Sequence, residues 1–456
     1  MSSRTHRVAA MALCALVLVV GWASPFVSQA DATELRPVRW TLPNGLIVLY
    51  LEQHALPMVD VHVLVKAGSA QDPNDKAGVA NLTASLLDEG TTSRTSAQLA
   101  EQIEFVGGSL SARASEDFSN ATLRILKKDV DLGFSLLSDI IQNPVFPKHE
   151  VERVRSEVLG QLQSEQDDPG TVAMRALSQM IFPGHPYRWP VSGTESTIPL
   201  IELKDVQAFH AQHYVPNQSI LSLVGDVTQE EAAALVVKYF GGWKPGGVAP
   251  GKPTAAQPLA KPTLKLINKE LTQSSIVLGH PGVSRSNPDY YAVTVLNYVF
   301  GAGGFGSRLM DTIRDKQGLA YGVTSQFDGR VAPGPFYISL QTRTEATNQA
   351  IASVLHELRA IRESPVSDQE LADAKAYLMG SFALRLDTGT KLAQTLSLVE
   401  LHNLGLDYFS QYPRWIDRVG KEDVLRAAKL YLDPHHYALV VVGDQSKAKV
   451  STDAKP

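Results

Sequence analysis

The chain of 456 residues has one cysteine, Cys14, and no block of basic residues. Cys14 lies in "MSSRTHRVAAMALCALVLVVGWASPFVSQADA", where Arg4 and Arg7 precede an apolar segment from Val8 to Trp22 and small residues follow. That order is the pattern of a secretory signal peptide with a small-x-small cleavage site at Ser28-Gln29-Ala30, so removal of residues 1–30 is expected. The apolar segment falls short of the ~20 residues a membrane span requires, which argues against an anchor. The expected mature chain has no thiol, and this excludes disulfides and cysteine-ligated metals. Loss of Arg4 and Arg7 takes the formal charge from −5 to −5 − 2 = −7, a mild acidity unsuited to phosphate backbones, so nucleic acid is not an expected partner. No later stretch is apolar for long enough to cross a bilayer, and no membrane span is expected after cleavage. The expectation is an exported protein, periplasmic if the source is a diderm bacterium and otherwise extracellular.

What the chain does contain is a duplication. "DVQAFHAQHYVPNQSILSLVGD", from Asp205, matches "DVLRAAKLYLDPHHYALVVVGD", from Asp423, without a gap and at an offset of 218 positions. Upstream, "KHEVERVRSEVLGQL" from Lys148 resembles "DQELADAKAYLMGSF" from Asp368, aligning Glu150 with Glu370 and Gly160 with Gly380. Two matches in one order predict two homologous halves, each helix-rich α+β, with strands at Gly45–Leu51, Val59–Val65, Ser219–Val224 and Tyr437–Val442. Between the halves, Gly241 to Pro262 is dense in Gly and Pro and reads as a linker. The expected organisation is a first domain at 31–240, a linker at 241–262, a second domain at 263–445 and a disordered tail at 446–456. Such a linker suits two domains facing each other across a cleft, and equally two domains that avoid contact.

"AGVANLTASLLDEGT", Ala77 to Thr91, reads as an amphipathic helix in which Val79, Leu82 and Leu86 bury one stripe while Asn81, Ala84 and Ser85 share another face. Its surroundings resemble the pitrilysin-like, or inverzincin, zinc metallopeptidases, in which a Gly-x-Ala lead-in precedes H-x-x-E-H. Here the lead-in is Gly78-Val79-Ala80, and Asn81, Ala84 and Ser85 stand where the first His, the Glu and the second His would be. An amide, a methyl and a hydroxyl neither hold zinc tightly nor act as a base near neutral pH. The resemblance places the third ligand, a Glu on a later helix, at Glu157; alone it makes a poor site and also reads as a salt-bridged helix residue. No metal is therefore expected on this chain. His210 and His213 share a helix face and His435 and His436 sit in a turn, but neither pair has the carboxylate a hydrolytic site wants, and both read as packing or surface residues.

"FGAGGFGSRLMDTIRDKQGLAYGV", Phe300 to Val323, places Gly301, Gly303, Gly304 and Gly306 around Phe305 in a loop too glycine-rich for a helix interior. A helix follows, with Leu309 and Ile313 inward, then Arg314 and, seven positions on, Tyr321. The segment resembles the family's C-terminal signature, whose Arg and Tyr contact substrate near the scissile bond. Taken singly, Arg314 also fits an ion pair with Asp311 or Asp315, and Tyr321 fits packing at a strand start. "GGSLSARASEDF", from Gly107, resembles the strand against which family members lay an extended substrate, with Gly107, Gly108, Ser109, Leu110, Ser111 and Ala112 as the binding edge. A plain edge strand with solvated Arg113, Glu116 and Asp117 fits it too.

The resemblance implies α+β architecture, with two homologous α/β-sandwich halves of mixed, mainly antiparallel sheet under packed helices, forming a clamshell. In the branch that includes mitochondrial processing peptidase, one of two chains lacks H-x-x-E-H and keeps the glycine loop and the Arg/Tyr pair, as here. It implies a non-catalytic, substrate-binding subunit, inactive alone, that offers Arg314 and Tyr321 to a homologous H-x-x-E-H partner carrying zinc, as a heterodimer or dimer of heterodimers acting on peptides. The alternative is a non-proteolytic peptide-binding or assembly protein on the same fold.

Overall fold

The computed structural model describes residues 35–247, 251 and 254–450. The expected signal peptide lies outside them. Six strands, β1 (Val38–Thr41), β2 (Ile47–Glu52), β3 (Met58–Val65), β4 (Ser109–Ala114), β5 (Ser119–Leu126) and β6 (Ser219–Gly225), form a sheet of order β1-β2-β6-β3-β5-β4. Five more, β7 (Thr263–Asn268), β8 (Gln273–Pro281), β9 (Ala320–Phe327), β10 (Pro335–Arg343) and β11 (Ala438–Gly443), form a second of order β7-β11-β8-β10-β9. The repeated Val-Gly-Asp segments supply β6 and β11. Each lies parallel to one neighbour, β2 or β7, and antiparallel to the other, β3 or β8, so the duplication is visible in the pairing. Every other pair is antiparallel. Both β6 and β11 are buried along their whole length, which is why they read as unbroken apolar runs.

Among the described residues, seven α-helices precede the linker: α1 (Val79–Ser85), α2 (Ser96–Phe105), α3 (Val130–Gln142), α4 (Lys148–Glu165), α5 (Pro169–Ile181), α6 (Leu203–His213) and α7 (Gln229–Phe240). After it come α8 (Tyr290–Asn297), α9 (Thr347–Glu363), α10 (Asp368–Gly380), α11 (Gly389–Leu401), α12 (Tyr408–Asp417), α13 (Lys421–Tyr431) and α14 (Gln445–Ala448). Capping is specified locally: Thr95, Thr228 and Ser367 each accept from the N3 amide, with Gln98, Glu231 and Glu370 reaching back.

The strands divide at the linker; the helices do not. Helix α5, from the first half of the chain, packs on β8 and β11 of the second sheet, where Ala173, Ala176, Leu177 and Ile181 meet Val277, Val440 and Val442. Helix α11, from the second half, packs on β3 and β6 of the first sheet. Each follows one of the matched helices α4 and α10, so the halves exchange equivalent helices. The two seats differ in chemistry. Under α5 the contact is apolar, whereas under α11 Asp60 accepts from Thr390 Oγ1 at 2.5 Å, His62 Nδ1 meets Ser397 Oγ at 2.8 Å, and Ser222 Oγ meets Ser397 Oγ at 2.8 Å. Burial pushes the His62 imidazole down to about 4.

The boundaries expected at 240 and 263 thus separate strands but cut through the packing. The expected linker also buries more than its composition suggests: Trp243 is buried and donates to Tyr214 O at 3.2 Å, and Ala256 and Leu259 pack on the second core. Residues 446–450 are not a disordered tail, since α14 is held by Asn348, whose Nδ2 donates to Ala448 O at 3.0 Å.

Candidate functional site

Helix α1 buries Val79, Leu82 and Leu86 as its periodicity predicts. Ala84 is buried as well, at 0% exposure, while Asn81 and Ser85 are half-buried. The position where a general base would stand is therefore occupied by a methyl and sealed from solvent. Asp72 holds the helix start, accepting from Gly78 N at 2.6 Å and Ala80 N at 2.9 Å. Glu157 is exposed on α4 and accepts from Arg153 Nη1 at 2.7 Å; the same guanidinium binds Glu150 at 2.6 Å and Glu89 at 2.5 Å. Three carboxylates thus already share one cation, and what remains at 81, 84 and 85 does not fit zinc. Among the described residues no three His, Cys, Asp or Glu side chains converge as a metal group. His210 Nε2 bonds Ile141 O at 2.8 Å, His213 is buried against Phe209, and His436 pairs with Asp433 at 2.8 Å.

The glycine loop lies against β9, where Thr324 Oγ1 donates to Gly301 O at 3.4 Å. Gly301 is there because nothing larger fits: a Cβ would stand 2.5 Å from Ser325 Oγ and 2.7 Å from Leu309 Cδ1. Gly304 takes φ of +58°, and its carbonyl accepts from Ser307 Oγ at 2.8 Å. The helix that follows has wide π-type turns over Met310–Lys316, with Leu309 and Ile313 inward. It is anchored at its start by Arg308, which grips Glu370 of α10 through two bonds of 2.7 and 3.0 Å and holds that carboxyl down to about 2.

From this base Arg314 reaches two rings. Its guanidinium carbon lies 4.5 Å from the centroid of Phe305 and 5.0 Å from that of Tyr321. Of the two acidic neighbours expected as alternative partners, Asp315 is at 3.9 Å and Asp311 pairs instead with Lys316 at 2.6 Å. The rings themselves are open to solvent, Phe305 at 70% and Tyr321 at 87% exposure. Two aromatic faces fix the plane of the guanidinium and leave its edge donors open. Beside them is a cavity of about 860 Å³ lined by Gly301, Gly304, Tyr321, Ser339 and Gln341 and, from the exchanged helix α5, by Gly170 and Met174. Sequence reasoning missed those last two, because only the exchange brings them there.

Strand β4 is one of the two edges of the first sheet, the other being β1, and β9, carrying Tyr321, is an edge of the second, opposite β7. Gly107 enters β4 with φ of +65°, Ser109 and Arg113 are exposed, and Leu110, Ser111 and Ala112 are half-buried. Glu116 and Asp117 beyond it are half-buried and bonded within the protein. Asp117 accepts from Tyr187 OH at 2.5 Å and Val331 N at 2.8 Å, and Glu116 pairs with Arg330 at 2.8 Å, which clasps this turn to the segment between β9 and β10.

Residues 47–195 match the profile described as Insulinase (Peptidase family M16), and residues 201–378 match that of the Peptidase M16 inactive domain. A solved structure described as the peptidase M16 inactive domain from Pseudomonas fluorescens is 30% identical, with 92% of this chain and 100% of that chain covered and a TM-score of 0.85. The chain belongs to peptidase family M16. Among other M16 relatives, an uncharacterised zinc protease of Mycobacterium bovis is 28% identical over 426 residues, 92% of this chain and 96% of that protein. The non-peptidase homolog YmxG of Helicobacter pylori is 27% identical over 406 residues, 88% and 93% respectively. In this chain Asn81, Ala84 and Ser85 lie on α1 in one half, and the glycine loop with Arg314 and Tyr321 lies in the other.

Proposed function

We propose that this M16 chain is a non-catalytic, substrate-binding subunit of a heteromeric zinc metallopeptidase acting on peptides. The observation that carries the reading is Arg314 against the Phe305 and Tyr321 rings, with Tyr321 lining the adjoining cavity, in a chain whose positions 81, 84 and 85 offer amide, methyl and hydroxyl. An extended peptide adds main-chain bonds along the free edge of β4, needing no particular side chains from Gly107 to Ala112. The open donors of Arg314 and the phenol of Tyr321 hold a carbonyl as charge develops on it. Zinc and base come from a homologous H-x-x-E-H partner, as a heterodimer or a dimer of heterodimers; this chain binds no zinc of its own. The N-terminal signal directs the assembly out of the cytoplasm, to the periplasm in a diderm bacterium. A relative named as a non-peptidase homolog supports a subunit that does not cut alone.

The purified mature chain is expected to bind no stoichiometric zinc, cleave nothing alone, and yield peptidase activity when mixed with its partner. Arg314→Ala is expected to lower kcat of the complex by about 10²–10³. Its effect on stability stays within about 1 kcal/mol, since both ring contacts are exposed. Unchanged activity in that variant, or zinc-dependent cleavage by the isolated chain, refutes the reading. A stable complex with no activity at all would favour the assembly-protein alternative instead.

A further inference from the structure

Away from the glycine loop, a second cavity of about 390 Å³ opens between the β4–β5 turn, the segment joining β9 to β10, and the region from Phe382 to Tyr408. Two guanidinium groups reach it without a carboxylate of their own. Arg285 lies 4.1 Å over the Tyr290 ring, 5.6 Å from that of Tyr291 and 5.7 Å from that of Tyr408, and donates to Tyr408 OH at 3.3 Å. Arg385, exposed at the mouth, donates to Tyr412 OH at 2.8 Å and Leu378 O at 3.3 Å. The three carboxylates that border the cavity are already engaged, Glu116 and Asp328 with Arg330 at 2.8 and 2.7 Å and Asp117 with Tyr187 OH and Val331 N at 2.5 and 2.8 Å. Other half-buried guanidinium groups do pair with acids, Arg94 with Asp139 at 2.7 Å and Arg308 with Glu370, whereas Arg285 meets only tyrosine rings and a phenol. A cation partly withdrawn from water beside phenols alone is a charge awaiting its counter-ion, and a planar fork with open donors matches a carboxylate in two bonds.

We propose that this cavity binds a monocarboxylate carried on an apolar body, with the acid between Arg285 and Arg385 and the body against Phe382, Leu398 and Val399. The nearby Glu116 and Asp328 disfavour a second negative charge, which sets phosphate aside. Both the C-terminal residue of a peptide and a free fatty acid have this chemistry. The site is independent of the Arg314 cleft, so its failure leaves the proposed function standing.

Isothermal titration of the full mature chain with N-acetylphenylalanine, its amide and octanoate tests the assignment. At least one of the two acids is expected to bind, and any acid that binds does so about tenfold or more tighter than the amide. Octanoate binding alone, or as well as the amino-acid derivative, points to a fatty acid; N-acetylphenylalanine alone points to a peptide C-terminus. Arg385→Gln, at an exposed position that leaves the fold intact, weakens the bound acid about tenfold without changing the amide. Arg285→Lys, which keeps the charge but loses the fork, weakens it as well, with near-UV circular dichroism confirming the fold. Equal affinity for acid and amide, no binding of either acid, or unchanged affinity in Arg385→Gln overturns the proposal.

Discussion

If the halves are joined through exchanged helices, a cavity made in the first half of the chain must damage the second sheet. Leu177 on α5 is the place to make it: 0% exposed, it packs in the layer formed with Ala173, Ile181, Val277 and Val440. Leu177→Ala removes three carbons from a dry, close-packed contact, a class of change that costs about 2–5 kcal/mol depending on how far the site collapses. Collapse is restricted here. Asp168 caps the first turn of α5 through Gly170 N at 2.8 Å, and Phe182 and Tyr187 beyond its end are buried in the same cluster, so the helix cannot slide to refill the space. The expected cost is about 3–4 kcal/mol, which lowers the melting midpoint by about 5–10 °C. Thermal unfolding followed by circular dichroism measures the magnitude, and amide hydrogen exchange measures the location. Exchange should accelerate in β8 and β11, almost a hundred residues or more beyond the substitution in sequence, ahead of β2 and β3. An unchanged midpoint, or exchange that rises first in β2 and β3, would show that α5 does not hold the second sheet.

Two further outcomes follow from the buried polar contacts. His62 stays neutral in the folded chain with its imidazole held near 4, below its ordinary 6.5, so its contribution is complete above about pH 6.5 and is lost as pH falls from there through about 4. The difference in urea-unfolding free energy between the native chain and His62→Gln is expected to narrow across that window; a difference independent of pH would contradict the assignment. Asp117→Ala strips the acceptor from Tyr187 OH and Val331 N and is expected to destabilise by about 2–4 kcal/mol, read by the same unfolding curves, whereas a loss below about 0.5 kcal/mol would mean that the clasp contributes nothing.

Much of the site is legible in the amino-acid sequence, because it depends on residue type at short spacing. Asn81, Ala84 and Ser85 offer an amide, a methyl and a hydroxyl, none of them a strong zinc ligand or a base, and the glycines around Phe305 with Arg314 and Tyr321 form one continuous segment. The loop's consequence is not legible there. That Phe305 and Tyr321 both come within cation–π distance of Arg314 follows from the π-type turns of Met310–Lys316 and the Arg308–Glu370 anchor, which the tertiary structure supplies. The reading of Glu116 and Asp117 as solvated fails for a related reason: charge predicts exposure only where no partner arrives, and here Tyr187, Arg330 and Val331 arrive from elsewhere in the chain.

By itself the sequence determined the duplication, the positions of the strands β2, β3, β6 and β11, and the residue types at Asn81, Ala84 and Ser85 of α1, since repeats, apolar periodicity and side-chain chemistry are local properties. Only the tertiary structure decided which helix covers which sheet. Helices α5 and α11 are amphipathic in either half, and periodicity says that a face must be buried without saying against what. The choice was made by long-range complementarity: small and branched apolar residues of α5 against Val277, Val440 and Val442, and Thr390 and Ser397 of α11 against Asp60, His62 and Ser222. A mismatch at either seat would bury a polar group without its partner.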